Sequence, residues 1–231
     1  MAKTSFLRLA LILALGCPAM SAYAATRYWT GGGALVGGVY QLWSDADNWD
    51  PHGAPQDGDY LILDSDALFF DPSSMFNDLT NLTVPLVSFH MLGVVELDWS
   101  LYGNTIILSN PTNAASVEFH SDDTLHIHCG LRLESDAQVT IVNDLKPTEG
   151  EMHLDGPIDL NGHNLHLAAY VYPFGEQGNA TSKLYASGPI SGSGNVNAFA
   201  SEGCYLELAG PGNSFSGRLF AGYSPGVIQS G

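Results

Sequence analysis

The sequence predicts an all-β protein built from many short strands. After residue 24 no stretch holds a helical period, whereas runs that alternate apolar and polar residues recur between Gly, Asn, Asp and Pro. Such alternation places one face of a strand in the core and the other in water. Short strands at regular spacing indicate a sandwich, a barrel or a β-solenoid.

The predicted strands follow one another through most of the chain. Each is a run of three to five residues, and in most of them apolar and polar residues alternate, a composition typical of half-buried strands. In chain order they cover residues 60–63, 94–97, 105–108, 117–119, 124–128, 131–134, 139–142, 158–160, 165–167 and 205–208.

The turns favour a solenoid among the three architectures. The segments "LYGNTIIL" (101–108) and "LNGHNLHL" (160–167) both place a Gly at the same offset before a strand. A Gly in that position suits a corner that needs positive φ. In "GPISGSGNV" (188–196) and "LELAGPGNSFSGRL" (206–219), Gly and small polar residues mark corners, and Asn is positioned to form ladders between coils.

The first 24 residues predict a cleaved secretory signal peptide. Lys3 and Arg8 precede an apolar run (9–15) that is shorter than the ~20 residues needed to span a bilayer. The run ends before Ala22-Tyr23-Ala24, a small-residue cleavage pattern, so we expect the mature chain to start at residue 25. A lipoprotein site at Cys17 is the alternative, but the residues before it fit poorly. We therefore expect a secreted or cell-surface protein with no transmembrane anchor in this chain.

The charge of the chain limits its binding partners, and its cysteine content limits the number of disulfide bonds. The formal net charge is −17, which repels phosphate backbones and anionic lipids and argues against nucleic-acid partners. A surface glycan or a protein remains as the expected ligand. Beyond the signal peptide the chain has Cys129 and Cys204, which either form one disulfide or stay free.

The C-terminal part resembles the autotransporter-associated β-strand repeat. The stretches "ISGSGNV" (190–196) and "LAGPGNSFSGRLFAG" (208–222) carry the match, but the Thr-Lys-x-Gly usual in that family is missing from "FASEGCYLEL" (199–208). The resemblance implies a right-handed parallel β-helix of an exported passenger region and implies no reaction. The matching positions are Gly192, Gly194, Leu206, Leu208, Gly210, Asn213, Phe215 and Gly217.

The N-terminal stretch "LWSDADNWDP" (42–51), with "PQDGD" (55–59) after it, is similar to the lead-in of such repeat proteins. A solenoid needs its first coil covered, and the tryptophans are large enough to do so. We therefore predict a cap or lead-in over residues 25–60, with solenoid repeats over 61–231 that are either truncated or complete. The alternative is a sugar-stacking platform of exposed tryptophans. The predicted cap residues are Trp43, Asn48, Trp49, Gly58 and Asp59.

The same acidic stretch raises the question of calcium. We expect no cofactor, with Ca²⁺ as the alternative, since Asp45, Asp47 and Asp50 supply the oxygen ligands that Ca²⁺ prefers. The order D-x-D-x-x-D lacks the Gly and the closing Glu of an EF-hand loop. A solvated acidic loop is the favoured interpretation.

Two histidines form a second metal candidate. His126 and His128 lie two residues apart on a predicted strand, so their side chains share a face and could hold one ion. His153, His163 and His166 could join them from neighbouring coils. No carboxylate or cysteine falls at a matching sequence spacing, and the sequence therefore favours solvent-facing histidines without a metal.

No catalytic residues can be named from the sequence. The basic residues needed to act on acidic polysaccharides are few and scattered, and no nucleophile elbow, phosphate loop or zinc-protease motif is present. The expected function is a secreted, non-enzymatic passenger-type β-solenoid module for display or adhesion. The alternative is a β-helical carbohydrate-active enzyme, either a polysaccharide lyase or a glycoside hydrolase that uses two of the many acids.

Overall fold

The computed structural model describes residues 24–64, 74–91, 98–121, 123–143, 149–171, 180–223 and 227–230. The predicted strand at 94–97 and nearly all of the predicted signal peptide (1–24) lie outside these ranges. Helix is limited in the described residues to a 3₁₀ turn over Ala46–Asn48, too short to cross a membrane. The all-β prediction is confirmed.

The strands are short and alternate in burial, as the sequence pattern indicates. In chain order they are β1 (Thr26–Trp29), β2 (Gln41–Leu42), β3 (Trp49–Asp50), β4 (Tyr60–Asp64), β5 (Ser74–Asn77), β6 (Thr83–Val84), β7 (Leu86–Met91), β8 (Asp98–Gly103), β9 (Ile106–Leu108), β10 (Ala115–Ser121), β11 (Thr124–Ile127), β12 (Leu131–Leu133), β13 (Ala137–Asn143), β14 (Glu149–Leu154), β15 (Ile158–Asp159), β16 (Leu165–Val171), β17 (Thr181–Ala186), β18 (Ile190–Ser191), β19 (Val196–Ala200), β20 (Tyr205–Leu208), β21 (Leu219–Tyr223) and β22 (Val227–Ser230).

These strands form three long sheets of nine, eight and five strands. The nine-stranded sheet has the order β21-β19-β16-β13-β10-β7-β4-β1-β3, the eight-stranded sheet β2-β5-β8-β11-β14-β17-β20-β22, and the five-stranded sheet β18-β15-β12-β9-β6. Three successive strands, such as β10, β11 and β12, enter the three sheets in turn. The middle coils thus add one parallel strand to each sheet, whereas β3 pairs antiparallel with β1 and the five-stranded sheet ends at β18. This path is compatible with a three-faced β-solenoid.

Residues at matching places in successive coils stack into columns, and the inward columns form the core. Parallel registers place the apolar side chain of one coil directly over that of the next. One such buried column consists of Val87, Val117, Val139, Leu167 and Ala198. Because every coil buries its apolar residues against its neighbours, stability accumulates along the array.

A polar ladder runs along one corner, as the Asn-rich turns predicted. The backbone N–H of Asn164 donates to Asp136 Oδ1 at 2.8 Å, and Asn195 Nδ2 donates to Asn164 Oδ1 at 2.8 Å. The backbone N–H of Arg218 then donates to Asn195 Oδ1 at 2.9 Å. The ladder joins four successive coils and satisfies backbone donors that the strands leave unpaired.

The residues of the repeat signature lie in the last described coils. Leu206 and Leu208 are buried inward residues of β20, and Phe215 packs against the core. Asn213 Oδ1 accepts a 2.8 Å hydrogen bond from the backbone N–H of Ile190, one coil earlier. The glycines lie at turns, where Gly192 and Gly194 have φ of +90° and +141°.

Candidate functional site

A row of aromatic and histidine rings follows the outer face of the eight-stranded sheet. In strands β11, β14, β17 and β20, buried residues alternate with partly exposed ones, so the second set faces away from the core. Because the strands are parallel and in register, the outward residues of neighbouring strands line up. His126, His153 and Tyr185 share one such column, while Tyr205 lies opposite Lys183 in the neighbouring column. Ring contacts join the columns into one row, which comprises Tyr102, His128, His126, His153, Tyr185 and Tyr205.

Most rings of this row stack face to face. The ring centroids of His126 and His153 are 4.3 Å apart with a 15° angle between planes. Tyr102 and His128 stack at 4.4 Å and 14°, and His153 and Tyr185 at 4.6 Å and 15°. Stacking covers the ring faces with neighbouring rings, so the row presents ring edges to solvent. These edges carry tyrosine hydroxyls and imidazole nitrogens, which are hydrogen-bonding groups.

Carboxylates and one lysine flank the row on the same face. Lys183 Nζ lies 3.0 Å from Glu151 Oε1 and also pairs with Glu149. Glu151 Oε2 is 3.2 Å from His153 Nε2, and Tyr205 donates a 2.7 Å hydrogen bond to Glu207. The acceptor raises the pKa of the Tyr205 hydroxyl, because ionising that hydroxyl would break the bond beside a negative charge.

Three side chains converge at one end of this face. Asp155 Oδ2 lies 2.9 Å from His126 Nδ1 and 3.4 Å from His128 Nδ1. One ligand atom from each of the three residues lies within 4.8 Å of the others. In the described part of the chain this is the one group of three or more His, Cys, Asp or Glu residues close enough to share an ion. We call His126, His128 and Asp155 the His-Asp cluster.

The surroundings of His128 favour its neutral form. Burial lowers the pKa of the imidazole, and this effect outweighs the attraction of the Asp155 carboxylate, while neighbouring His126 and His153 oppose the charged form further. A neutral imidazole keeps a lone pair available as a hydrogen-bond acceptor or ligand.

The sequence-based interpretation of the histidine pair requires one correction. No carboxylate was expected at matching spacing, yet Asp155 lies one coil above His128, since Ile127 pairs with Leu154 in the strand register. The backbone N–H of Asp155 donates to Ile127 O at 2.9 Å and fixes this position. The sequence clue to this contact was the separation of 27 residues between His126 and His153, because that separation is the length of the coil.

The calcium candidates do not converge in the same way. Asp45 accepts from the backbone N–H of Asp47 at 3.1 Å and so begins the 3₁₀ turn. Asp47 Oδ1 lies 2.9 Å from His52 Nε2, and both side chains are exposed. Asp50 lies exposed in β3 beside Tyr28 of β1. These three carboxylates have separate local roles.

The N-terminal tryptophans are buried, with exposed fractions of 0% for Trp43 and 2% for Trp49. Trp49 packs edge-on against Trp29 at 4.9 Å and against Trp43 at 5.8 Å between ring centroids. A sugar-stacking platform needs an open ring face, so the platform interpretation of this pair is wrong.

The polar residues of this segment are tied into the backbone. Asn48 is buried, donates to Leu42 O at 2.8 Å and accepts from Gly33 N at 2.7 Å. Asp59 is buried and accepts from Arg27 Nε at 2.9 Å, from Ala25 N at 2.8 Å and from Gln56 N at 3.0 Å. Gly58, at φ +88°, lets the chain turn just before Asp59.

Both cysteines are buried as free thiols. The sequence left open whether these cysteines form one disulfide or stay free, and in the structure they stay free. Comparisons with known protein families, with characterised proteins and with solved structures give no match to this chain.

Proposed function

We propose that this chain is an exported, non-enzymatic surface module of the passenger type, which acts in adhesion or display. Its binding surface is the outer face of the eight-stranded sheet. The observation that carries the proposal is the row of rings from Tyr102 to Tyr205, because side chains at five neighbouring strands place hydrogen-bonding groups there in continuous ring contact.

The chemistry of the row favours a neutral or amino-sugar glycan as the ligand. Sugar hydroxyls can donate to carboxylates and can both donate to and accept from tyrosine hydroxyls and imidazoles, and this face offers all three groups. Glu151 and Glu207 make the face acidic, and the net charge of −17 adds a field that repels acidic polysaccharides. An extended glycan of several residues matches the linear shape of the row.

Several further features belong to the same proposal. The signal peptide (1–24) is cleaved before residue 25, the solenoid is right-handed as the repeat resemblance implies, and residues 25–60 include its cap. Support for the cap comes from the burial of Trp43 and Trp49 and from the hydrogen bonds of Asn48 and Asp59. A large apolar plug over the first coil removes an end that would otherwise pair with another chain.

The experiment is a glycan-binding screen followed by titration of the best neutral or amino-sugar ligand. Removing the hydroxyls in Tyr185→Phe and Tyr205→Phe should weaken binding by about 3- to 10-fold each, the value of one hydrogen bond. Tyr28→Phe is the control, since Tyr28 is exposed at 49% on the nine-stranded sheet and should bind as the wild type does.

Equal affinities for all four proteins would contradict the location of the binding surface. Release of new reducing ends or unsaturated products by the purified chain would instead support the carbohydrate-active enzyme. Glu151, the acid at the centre of this face, pairs with Lys183 and His153, which favours a binding role for it over general acid–base chemistry.

A further inference from the structure

The His-Asp cluster combines donor types that calcium does not favour and that transition metals do. Two imidazole nitrogens and one carboxylate oxygen suit Zn²⁺ and its neighbours in the first transition row, whereas Ca²⁺ takes six to eight oxygens. His126 lies in β11, and His128 and Asp155 each follow the end of their strand, β11 and β14, by one residue. The register of these two strands therefore places donors of two consecutive coils side by side.

The distances are close to those that an ion requires. Ligand atoms about 2.0–2.2 Å from a tetrahedral Zn²⁺ ion lie roughly 3.4 Å from one another. Asp155 Oδ2 is 3.4 Å from His128 Nδ1 and 2.9 Å from His126 Nδ1. Small side-chain rotations therefore convert the hydrogen-bonded arrangement into a coordinating one.

Neighbouring rings hold the two imidazoles in place. His126 stacks on His153 and His128 stacks on Tyr102, at centroid distances of 4.3 Å and 4.4 Å. The planes of His126 and His128 differ by only 7°, so both Nδ1 atoms approach Asp155 with the same ring orientation. Such support lowers the entropy lost when ligands are fixed around an ion.

The cluster is reachable from solvent. The side chains of His126, His128 and Asp155 are 31%, 34% and 25% exposed. An ion can enter without unfolding the coil, and three protein ligands leave a fourth position open. The negative net charge of the chain also raises the local concentration of divalent cations.

We propose that His126, His128 and Asp155 form a binding site for one divalent transition-metal ion, of which Zn²⁺ is the best fit. His126 and His128 coordinate through Nδ1 and Asp155 through a carboxylate oxygen. The open position takes water or a donor group of a bound partner. The site shares His126 and His128 with the proposed glycan surface, but metal binding can be measured without a glycan, so either proposal can fail while the other stands.

The test is isothermal titration of the purified chain with Zn²⁺, together with visible spectroscopy of the Co²⁺-loaded protein. We expect one saturable Zn²⁺ site and a Co²⁺ spectrum of four-coordinate geometry. Even the loss of a group that only orients a metal ligand lowers metal affinity about 10- to 100-fold, so Asp155→Asn and His128→Ala, which remove or weaken ligands, should each weaken Zn²⁺ binding by at least about tenfold. Asp155→Asn keeps the shape of the side chain, and its melting temperature without metal should stay near that of the wild type.

His52→Ala is the matched control. His52 also forms a histidine–carboxylate pair, with Asp47 at 2.9 Å, but the pair is exposed and has no second histidine. Its loss should leave the Zn²⁺ affinity within about twofold of wild type. Absence of saturable binding, an octahedral Co²⁺ spectrum, undiminished affinity in Asp155→Asn, or an equal loss in His52→Ala would each overturn the site.

Discussion

The indole Nε1 of Trp49 donates a 2.9 Å hydrogen bond to the backbone carbonyl of Trp43, and the two rings also meet edge to face. Trp49 supplies the donor and Trp43 the acceptor, so each residue holds the other in place. Both tryptophans are buried away from water. Trp49 is the first residue of β3, the strand at one end of the nine-stranded sheet.

Truncating Trp49 should therefore strongly destabilise the protein. We expect Trp49→Ala to lower the free energy of unfolding by about 3–5 kcal/mol, because a buried ring leaves a cavity. Trp49→Phe should lower the free energy of unfolding by less, since it keeps most of the packing. Its main loss is the hydrogen bond, worth about 1 kcal/mol. Urea denaturation measures both, and size-exclusion chromatography should detect self-association of the Ala variant. A wild-type midpoint for Trp49→Ala would contradict the proposed cap.

The ion pair between Arg27 and Asp59 should be a second stabilising element of the same segment. Asp59→Ala removes a buried acceptor of three hydrogen bonds and leaves the Arg27 guanidinium without its carboxylate. Breaking a buried pair of this kind costs about 3–5 kcal/mol. Asp50→Ala, at an exposed carboxylate, is the control and should change the unfolding free energy by less than about 0.5 kcal/mol. Similar losses of unfolding free energy in Asp59→Ala and Asp50→Ala would contradict a stabilising role for the Arg27–Asp59 ion pair.

One column of glycines should tolerate no side chain. A Cβ on Gly188 would lie 2.0 Å from the carbonyl oxygen of Gly156 in the previous coil, closer than any real contact. Gly188→Ala should therefore destabilise the chain by about 2–3 kcal/mol. Gly222→Ala, where the nearest atom is 3.4 Å away, should change stability little. Thermal melts of the two variants provide the comparison, and equal melting temperatures would contradict close packing at the Gly188 corner.

The Asp136 ladder should make stability depend on pH in acid. The hydrogen bond from the Asn164 backbone, with further contributions from the Asn164 side chain and nearby histidines, holds the pKa of Asp136 below its ordinary value of 3.8. The folded state thus binds the proton less readily than the unfolded state, and the contribution is present above the unfolded pKa and lost as pH falls through the folded one. Asp136→Asn keeps an acceptor but no charge. The difference in unfolding free energy between wild type and this variant should shrink below about pH 4. A difference that stays constant with pH would show that the Asp136 carboxylate is not the source of the pH dependence.

Both thiols should resist chemical modification until the protein unfolds. Burial raises the pKa of the Cys129 thiol to about 12, so almost none of it is thiolate near neutral pH. Labelling with a thiol reagent should be slow in the native protein and give two modified cysteines beyond residue 24 after denaturation. Rapid native labelling, or no labelling without a reductant, would indicate an exposed thiol or a disulfide.

The period of the side-chain pattern was enough to predict the strands. Tyr205–Leu208 forms over the predicted residues, and Ile106–Leu108 begins one residue late, because alternation reports directly which side of a strand is buried. Strands such as Thr26–Trp29 and Ser74–Asn77 escaped prediction because they are short and rich in polar residues. Thr26–Trp29 pairs with β4 and Ser74–Asn77 with β8, and this pairing completes strands that a four-residue pattern does not distinguish from a turn.

The sequence by itself determined the all-β class, the exposed histidine pair and the polar corner residues, since each depends on neighbours along the chain. Only the tertiary structure decided that Asp155 joins His126 and His128, that Tyr102 and Tyr185 continue their row, and that the cysteines stay apart. Those contacts depend on the length of each coil. Between strands paired in register that length is 27 residues from His126 to His153 but 32 from His153 to Tyr185. An irregular coil length leaves no fixed sequence period, and therefore register in space, not spacing along the chain, brings the site together.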